Sequence, residues 1–366
     1  MPLNLTGWLP HVLGELARRG VAVVGLAIAA AGCCAPARAP VGSPSPSTSK
    51  VTHQGLRVVA RIRLPGDNSR FDYASLDPGH GLLFVAHLGA SQLIEINIRT
   101  DQVVRTIGGL SQVHGVLVVP ALDRVYATAT GTNTVVQIDE STGQILSQSA
   151  TGQYPDGLAY DPADRTIWTT NEADGTETII AALTGANLGT VRFGQEASVG
   201  NVAYDPLTGH MLVDVQSANQ LAVIDPDRRS VIRRVRLPGC DDDHGLALDS
   251  AAGLAFVACD FNSVLLTVNM NTWRVKAIAK VGREPDVVAF DGHTGRLYVA
   301  SESGWVASFQ LEARQAHEID ARYLGDDAHS VAVDPATGRS YFPTLQASGG
   351  HPAVLVCELT APAVGR

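Results

Sequence analysis

Residues 157–162 read Gly-Leu-Ala-Tyr-Asp-Pro, and close variants of this stretch recur along the chain. Asn201-Val-Ala-Tyr-Asp-Pro206 and Ser330-Val-Ala-Val-Asp-Pro335 are two further copies. Seven copies can be aligned. Their marker positions, which hold aspartate in six copies, follow one another at intervals of 42 to 44 residues: Asp77, Val119, Asp161, Asp205, Asp249, Asp291 and Asp334. Self-similarity at so regular a period indicates a repeat architecture.

Each repeat contains the signals of four β-strands. Runs of four to six β-branched and apolar residues, such as Leu297–Ala300, alternate with turns rich in Gly, Asn and Asp, which is typical of strands. Four strands in about 43 residues, repeated radially, correspond to one blade of a β-propeller. We therefore predict an all-β fold, a seven-bladed β-propeller with four strands per blade. An open solenoid or β-helix is the competing architecture.

The two ends of the repeat region carry a signature of ring closure. The last repeat has signals for only three strands, and Val58-Val-Ala-Arg-Ile-Arg-Leu-Pro-Gly66 parallels Val231-Ile-Arg-Arg-Val-Arg-Leu-Pro-Gly239, a fourth strand in its own repeat. We expect this N-terminal strand to complete the last blade, which would protect an otherwise open sheet edge. The propeller then spans residues 55–362, followed by a tail over residues 363–366.

Composition excludes two broad classes of protein. Hydrophobic residues make up 45% of the 366 residues and charged residues 17%, which is too apolar for a disordered chain. The formal net charge is −9, and nucleic-acid binding by phosphate neutralisation needs clustered Lys and Arg instead. We expect no nucleic-acid partner.

The N-terminal segment indicates export. Arg18 and Arg19 precede a short apolar run, residues 21–31, that leads into Gly32 and Cys33. This order predicts an export signal over residues 1–32. The end of the run resembles the lipobox of bacterial lipoproteins, which makes Cys33 the expected lipidation site and the lipid the only membrane contact. Cleavage by ordinary signal peptidase, a twin-arginine signal and an uncleaved anchor helix remain alternatives. Residues 33–54, rich in Pro and Ser, predict a flexible tether.

The repeat resembles the YVTN or YncE-like seven-bladed propellers. The resemblance rests on Pro-x-Gly-Leu-Ala-x-Asp-Pro, as at residues 155–162, and Leu-Tyr-Val-Ala, as at residues 297–300, and it covers residues 56–362. It implies an exported or cell-surface protein without a common catalytic set. Virginiamycin B lyase and the lactonases share the architecture at a distance, but the signature residues of neither are recognisable in this sequence.

One face of the predicted propeller is strongly acidic. In each blade, the loop that enters the first strand and the loop that follows the second strand share this face. Two basic residues, Arg70 and Arg283, fall in these loops against fifteen acids: Asp72, Asp156, Glu172, Asp174, Glu177, Glu196, Asp241, Asp242, Asp243, Asp260, Glu284, Asp286, Glu302, Asp326 and Asp327. A concave acidic mouth favours cations or cationic ligands, whereas a solvated acidic surface that aids solubility is the alternative.

A sharper signal lies five residues before each marker position. The seven equivalent residues, which symmetry places in one ring at the channel mouth, are Asp72, His114, Asp156, Gly200, His244, Asp286 and His329. Imidazole and carboxylate groups together suit a divalent metal such as Zn²⁺ or Mn²⁺, with His114, His244 and His329 as candidate ligands. His87 and Glu302, at the ends of second strands, are expected to reach inward beside the ring.

The same ring has two other interpretations. Asp and His side chains favour strand-entry turns and can hydrogen-bond around the ring to hold the blades together. They are also suited to acid–base chemistry. Because opposite members of a ring can be too far apart to share one ion, we expect only neighbours to chelate. No nucleophile with an adjacent base is identifiable in the sequence, which favours binding over catalysis.

The cysteines fit an exported protein. Cys240 precedes the first strand of the fifth blade and Cys259 ends its second strand, so an antiparallel pair brings them within disulfide reach. Free thiols and a soft-metal site with His244 are the alternatives. Cys357 is expected to be a buried core thiol.

Taken together, the residues predict a non-enzymatic binding module of the bacterial cell envelope or periplasm, monomeric, with a small molecule, a cation or an envelope protein as partner. A metal-dependent hydrolase or lyase that uses the ring is the second interpretation. A purely structural envelope protein is the third.

Overall fold

A computed structural model describes residues 55–347 and 350–359 of the chain. The predicted signal over residues 1–32, the tether over 33–54, Cys33 and the tail over 363–366 lie outside these residues. Within them, 28 β-strands form seven four-stranded antiparallel sheets. The other regular segments are four 3-10 turns: Pro120–Leu122, Thr130–Thr132, Glu172–Asp174 and Gln216–Ala218. The predicted all-β fold of seven blades with four strands each is confirmed. No helix in this described part is long and apolar enough to cross a bilayer.

The strands take the same four places in every blade. The first strands are β2 (Ala74–Asp77), β6 (Val113–Val119), β10 (Pro155–Asp161), β14 (Val202–Asp205), β18 (Asp243–Asp249), β22 (Pro285–Asp291) and β26 (Ala332–Val333). The second strands are β3 (Leu82–His87), β7 (Arg124–Ala129), β11 (Thr166–Asn171), β15 (His210–Val215), β19 (Leu254–Cys259), β23 (Arg296–Ser301) and β27 (Ser340–Ala347). The third strands are β4 (Gln92–Asn97), β8 (Thr134–Asp139), β12 (Thr176–Ala181), β16 (Gln220–Asp225), β20 (Val264–Asn269), β24 (Trp305–Glu312) and β28 (His351–Leu359). The fourth strands are β5 (Gln102–Gly108), β9 (Ile145–Ala150), β13 (Asn187–Arg192), β17 (Ser230–Arg236), β21 (Arg274–Lys280), β25 (Gln315–Tyr323) and β1 (Leu56–Arg63).

The first strands form a closed ring. Each contacts the first strand of the blade on either side, and β26 of the seventh blade contacts β2 of the first. Residues at the start of the first strands therefore converge at one end of a common axis. The turns that follow the first strands lie at the other end.

The seventh sheet combines segments from both ends of the described chain. Its order is β26, β27, β28 and β1, and β1 pairs antiparallel with β28. Leu56 lies opposite Leu359 and Ile62 opposite Val354, and all four side chains are buried. The apolar face of β1 is thus covered, and so is the outer edge of β28.

The core lies between neighbouring blades. The second and third strands are buried along most of their length, whereas fourth strands such as β5 alternate between half-buried and exposed residues, as expected of an outer strand. Trp168 of the third blade packs with Met211 of the fourth. The rings of Tyr298 and Phe342, from the sixth and seventh blades, lie 6.3 Å apart. Burial of these aromatic rings joins adjacent blades.

Glycine permits the close approach of neighbouring first strands. A Cβ atom on Gly245 would lie 2.0 Å from the carbonyl oxygen of Asp286 in the next blade, and one on Gly115 would lie 2.1 Å from that of Asp156. Both contacts involve backbone, which cannot move aside as a side chain would. These two positions therefore require glycine for the ring to close at its present diameter.

We expect Gly245→Ala to lower the free energy of unfolding by about 1–3 kcal/mol, the usual cost of overpacking. Chemical denaturation measures the difference. Gly108→Ala is the matched control, because a Cβ there meets nothing within 4 Å and its stability should change by less than about 0.5 kcal/mol. Equal losses in the two variants would contradict the close-packing argument.

Candidate functional site

The ring residues named from the repeat lie at or just before the start of the first strands, and irregular strand pairing accompanies four of them. In four blades the register between first and second strands shifts next to a ring position: His114, Asp156, His244 and Asp286. Such bulges re-aim a side chain relative to the regular pleat. Asp72 and His329 lie just before their first strands. All six except His244 are less than 9% exposed, and His244 is half-buried.

Three of these residues, from three consecutive blades, bring ligand atoms together. Asp286 belongs to the sixth blade, His329 to the seventh and Asp72 to the first. One ligand atom from each lies within 4.8 Å of the other two. The three residues are neighbours in the ring, and one imidazole and two carboxylates so placed could hold a divalent cation. We call Asp72, Asp286 and His329 the mouth triad.

One ring nitrogen of His329 faces the other two residues of the mouth triad. Its Nδ1 lies 3.1 Å from the carbonyl oxygen of Asp327, and a carbonyl only accepts, so Nδ1 carries a proton. Its Nε2 lies 3.8 Å from Asp286 Oδ2 and 4.0 Å from Asp72 Oδ1 and has no hydrogen-bond partner among the described residues. Burial and Arg70 act to lower the pKa of His329, but Asp327 and Asp286 raise it to about 9.

His244 extends the triad into the fifth blade. Its Nε2 lies 3.1 Å from Asp286 Oδ1, and its Nδ1 lies 2.8 Å from Gln216 Nε2. Burial opposes ionisation of both groups, but their pairing raises the pKa of His244 well above its usual range and lowers that of Asp286 to about 2. Asp286 is therefore an anion held between two imidazoles.

Arg70 is the main residue that the sequence did not single out. Its Nη2 lies 2.8 Å from Glu302 Oε1 and 3.9 Å from Asp286 Oδ2, and its other nitrogens lie 3.6 Å from Asp72 and 3.7 Å from Asp327. Burial acts to lower the pKa of Arg70, but Asp72, Glu302 and Asp286 raise it above its usual value. Arg70 is an internal cation that already balances part of the acidic mouth. The only sequence signal for this role of Arg70 is that it is one of two basic residues among the fifteen acidic residues of this face.

A second set of residues crosses the channel. The hydroxyl of Tyr73, in the first blade, donates to Asn201 Oδ1 in the fourth blade at 2.8 Å, and Asn201 Nδ2 donates to the carbonyl of His244. Burial, and next Asp156, raises the pKa of Tyr73. Tyr73 and Asn201 each directly follow a ring position in the sequence. Their polar side chains at this position could have identified them, but the predicted site did not extend to this position.

Asp156 and His114 lie apart from the triad. Burial, and next Asp72, raises the pKa of Asp156 well above its usual range, which favours the neutral carboxyl. His114 donates from Nδ1 to the carbonyl of Gln112 at 2.9 Å, and its Nε2 faces the Tyr154 hydroxyl at 3.0 Å. The structure therefore brings His329, but not His114 or His244, into a group of three potential metal ligands among the described residues.

The two residues expected to reach inward behave differently. Glu302 joins the mouth through its contact with Arg70. His87 is fully buried, its ring stacks on Phe71 at 4.2 Å, and its Nε2 faces Ser69 Oγ at 3.1 Å. Burial lowers its pKa. His87 thus helps to hold the loop that carries Arg70 and is not itself part of the mouth triad.

The predicted disulfide between Cys240 and Cys259 is present, with Cα atoms 5.4 Å apart. It ties the loop before β18 to the end of β19, next to His244. Cys357 is free and buried, as expected. Disulfides form in oxidising compartments, so this bridge supports export of the chain.

These features define a seven-bladed β-propeller with a buried, charged cluster at one end of its channel. No family model and no curated protein matches the sequence. Among solved structures, one of streptogramin B lyase is similar, with a TM-score of 0.69 and 10% identity over 83% of this chain and 98% of that chain. At this identity, the likeness indicates a common fold.

Reduction of the disulfide should loosen this side of the mouth. Closing a loop of 19 residues is worth about 3 kcal/mol in the chain-entropy description. We expect a reductant to lower the melting temperature of the protein but not that of the Cys240→Ala/Cys259→Ala variant, as followed by circular dichroism. An equal response in both proteins would place the sensitivity elsewhere.

Proposed function

We propose that this chain is an exported ligand-binding propeller that holds a divalent cation at the mouth triad. One observation carries the proposal: Nε2 of the fully buried His329 has no hydrogen-bond partner in the part of the chain that the structure describes, and it faces the carboxylates of Asp72 and Asp286. A buried polar atom without a partner is costly, and a cation held by Nε2 and the two carboxylates supplies the partner that Nε2 lacks. Binding would release the proton from His329, since only neutral imidazole is a ligand.

Arg70 has a defined part in this proposal. Its guanidinium lies within 4 Å of Asp72, Asp286, Glu302 and Asp327 and is about one-third exposed, so it covers the triad from the solvent side. It balances the carboxylates when no other cation is present. It is also well placed to bind an anionic group of a larger ligand, since a guanidinium contacts carboxylates and phosphates through several donors.

A metal-dependent hydrolase or lyase is the second candidate. The paired His244 and Asp286, beside the buried hydroxyl of Tyr73, supply groups that can exchange protons next to a cation. The similar fold of streptogramin B lyase makes an enzyme on this scaffold plausible, although fold alone does not assign function.

The chain's surroundings form part of the proposal. The resemblance to YncE-like repeats and the short apolar N-terminal run support a lipoprotein of the cell envelope, attached through Cys33 and a tether over residues 33–54. A small molecule or an envelope protein would then reach the acidic mouth from the periplasmic or extracellular side, with the propeller acting as a monomer.

Metal analysis tests the mouth triad. We expect the metal-free protein to take up Zn²⁺ or Mn²⁺ in equilibrium dialysis and the Asp286→Asn/His329→Gln variant to bind one equivalent less, because two of its three ligands are lost. The Asp227→Asn/His317→Gln variant makes the same chemical changes at exposed positions far from the mouth and should bind as the natural protein does.

If the triad variant and the control take up equal amounts of both ions, the mouth holds no cation. That result would also remove the metal-dependent hydrolase or lyase. A module that binds a small molecule or an envelope protein without a metal, and a structural envelope protein, would be the remaining interpretations. Hydrolysis or elimination activity that disappears with the triad's cation would instead favour the enzyme.

Replacement of the proposed lipidated cysteine tests the anchor. We expect Cys33→Ser to move the protein from the membrane fraction to the soluble fraction of the producing cells and to abolish incorporation of labelled fatty acid. Cys34→Ser should leave both unchanged, since the neighbouring thiol is not the lipobox residue. Unaltered fractionation of Cys33→Ser would favour the uncleaved anchor.

A further inference from the structure

A second group of potential ligands lies at the opposite end of the first strands, between the first and second blades. Asp77 ends β2, His80 lies in the following turn, and Glu140 follows β8 of the next blade. One ligand atom from each lies within 4.8 Å of the other two. None of the three belongs to the ring that the repeat register singled out.

The repeat itself shows that Glu140 is exceptional. Its backbone N–H donates to the carbonyl of Asp123, in the turn between first and second strands of its own blade. Four other residues make the corresponding bond in their blades, and every one is apolar: Ile98, Ala182, Met270 and Leu311. A carboxylate has therefore replaced a core side chain at this single blade, and Glu140 is still only 2% exposed.

His80 is also a departure from the repeat. In three other blades the turn aspartate accepts a hydrogen bond from a threonine hydroxyl three residues later, at Asp205–Thr208, Asp291–Thr294 and Asp334–Thr337. In the first blade His80 takes the place of that threonine. Its Nδ1 lies 3.0 Å from Asp77 Oδ2 and 3.4 Å from Glu140 Oε1. Two independent replacements thus converge on one point.

The arrangement leaves negative charge buried. Asp77 Oδ1 accepts the backbone N–H groups of Gly79 and His80, as expected for a turn aspartate, but this leaves Oδ2 directed at the cluster. Glu140 Oε2 has no hydrogen-bond partner among the described residues. Burial, and next Asp77, raises the pKa of Glu140 to about 7. Two carboxylates this close need a positive charge or a shared proton between them, and the imidazole of His80 beside them makes the pair a nitrogen–oxygen ligand set.

We propose that Asp77, His80 and Glu140 bind a divalent transition-metal cation, with Zn²⁺ or Mn²⁺ as the fitting class. One imidazole nitrogen with two carboxylates suits these ions, whereas Ca²⁺ prefers oxygen ligands alone. The side chain of His80 is 59% exposed, so the ion has access from solvent. Because Asp77 belongs to the first blade and Glu140 to the second, the ion would clamp the two blades together.

Variants that restore the repeat's own residues provide the test. Glu140→Leu returns the apolar residue of the other blades and His80→Thr returns the threonine, so both should fold. We expect each to bind one equivalent of Zn²⁺ less than the natural protein in equilibrium dialysis. Without metal, Glu140→Leu should melt no lower than the natural protein, because a buried carboxylate has become a core side chain.

Two controls separate this site from the mouth triad. Asp286→Asn/His329→Gln should keep the ion at Glu140, and His293→Gln, at an exposed histidine in the corresponding turn of the sixth blade, should bind as the natural protein does. In the natural protein, addition of Zn²⁺ should shift the imidazole ¹⁵N signal of His80. Equal Zn²⁺ uptake by Glu140→Leu and the natural protein would overturn the proposal and leave a shared proton between the carboxyls.

Discussion

Contact between the first strands around one axis is the constraint on which the rest of the structure depends. Seven short strands meet in a closed ring, and at Gly115 and Gly245 the neighbouring backbone comes so near that no Cβ atom fits. This closeness places side chains from different blades within a few ångströms of one another. Asp72 and Asp286 are 214 residues apart in the chain, yet both face His329. A looser ring would leave the same residues as separate surface charges.

Burial gives these groups their chemistry. Carboxylates taken out of water need a positive partner or a proton, and the mouth uses both solutions. Arg70 and the raised pKa values of His244 and His329 favour positive charge, while the raised pKa of Asp156 favours its neutral form. The cluster at Asp77, His80 and Glu140 meets the same requirement at the other end of the first strand. A bound cation, as proposed for each cluster, would meet this requirement at either end of the ring.

Departures from the repeat mark the places where side chains do more than build a blade. Glu140 and His80 stand where other blades carry an apolar residue and threonine, and both point to the same cluster. Arg70, two residues before the ring position Asp72, and Tyr73, directly after it, likewise differ from their counterparts in other blades. Comparison of the seven repeats within this chain thus identifies residues with a special role, as comparison of related sequences does for other proteins. Its limit is that it identifies unusual residues without showing which of them meet.

The sequence by itself determined the fold class, the number of blades and the strands in each blade, and it favoured the pairing of Cys240 with Cys259 that the structure contains. It could do so because these features depend on local patterns that repeat every 42 to 44 residues. It also identified which residues form the ring. Only the tertiary structure decided that His329, not His114, joins Asp72 and Asp286, that Arg70 enters the mouth, and that His87 turns to Phe71. Those outcomes depend on side-chain directions set by bulges and by contacts between blades, and no periodic pattern records them.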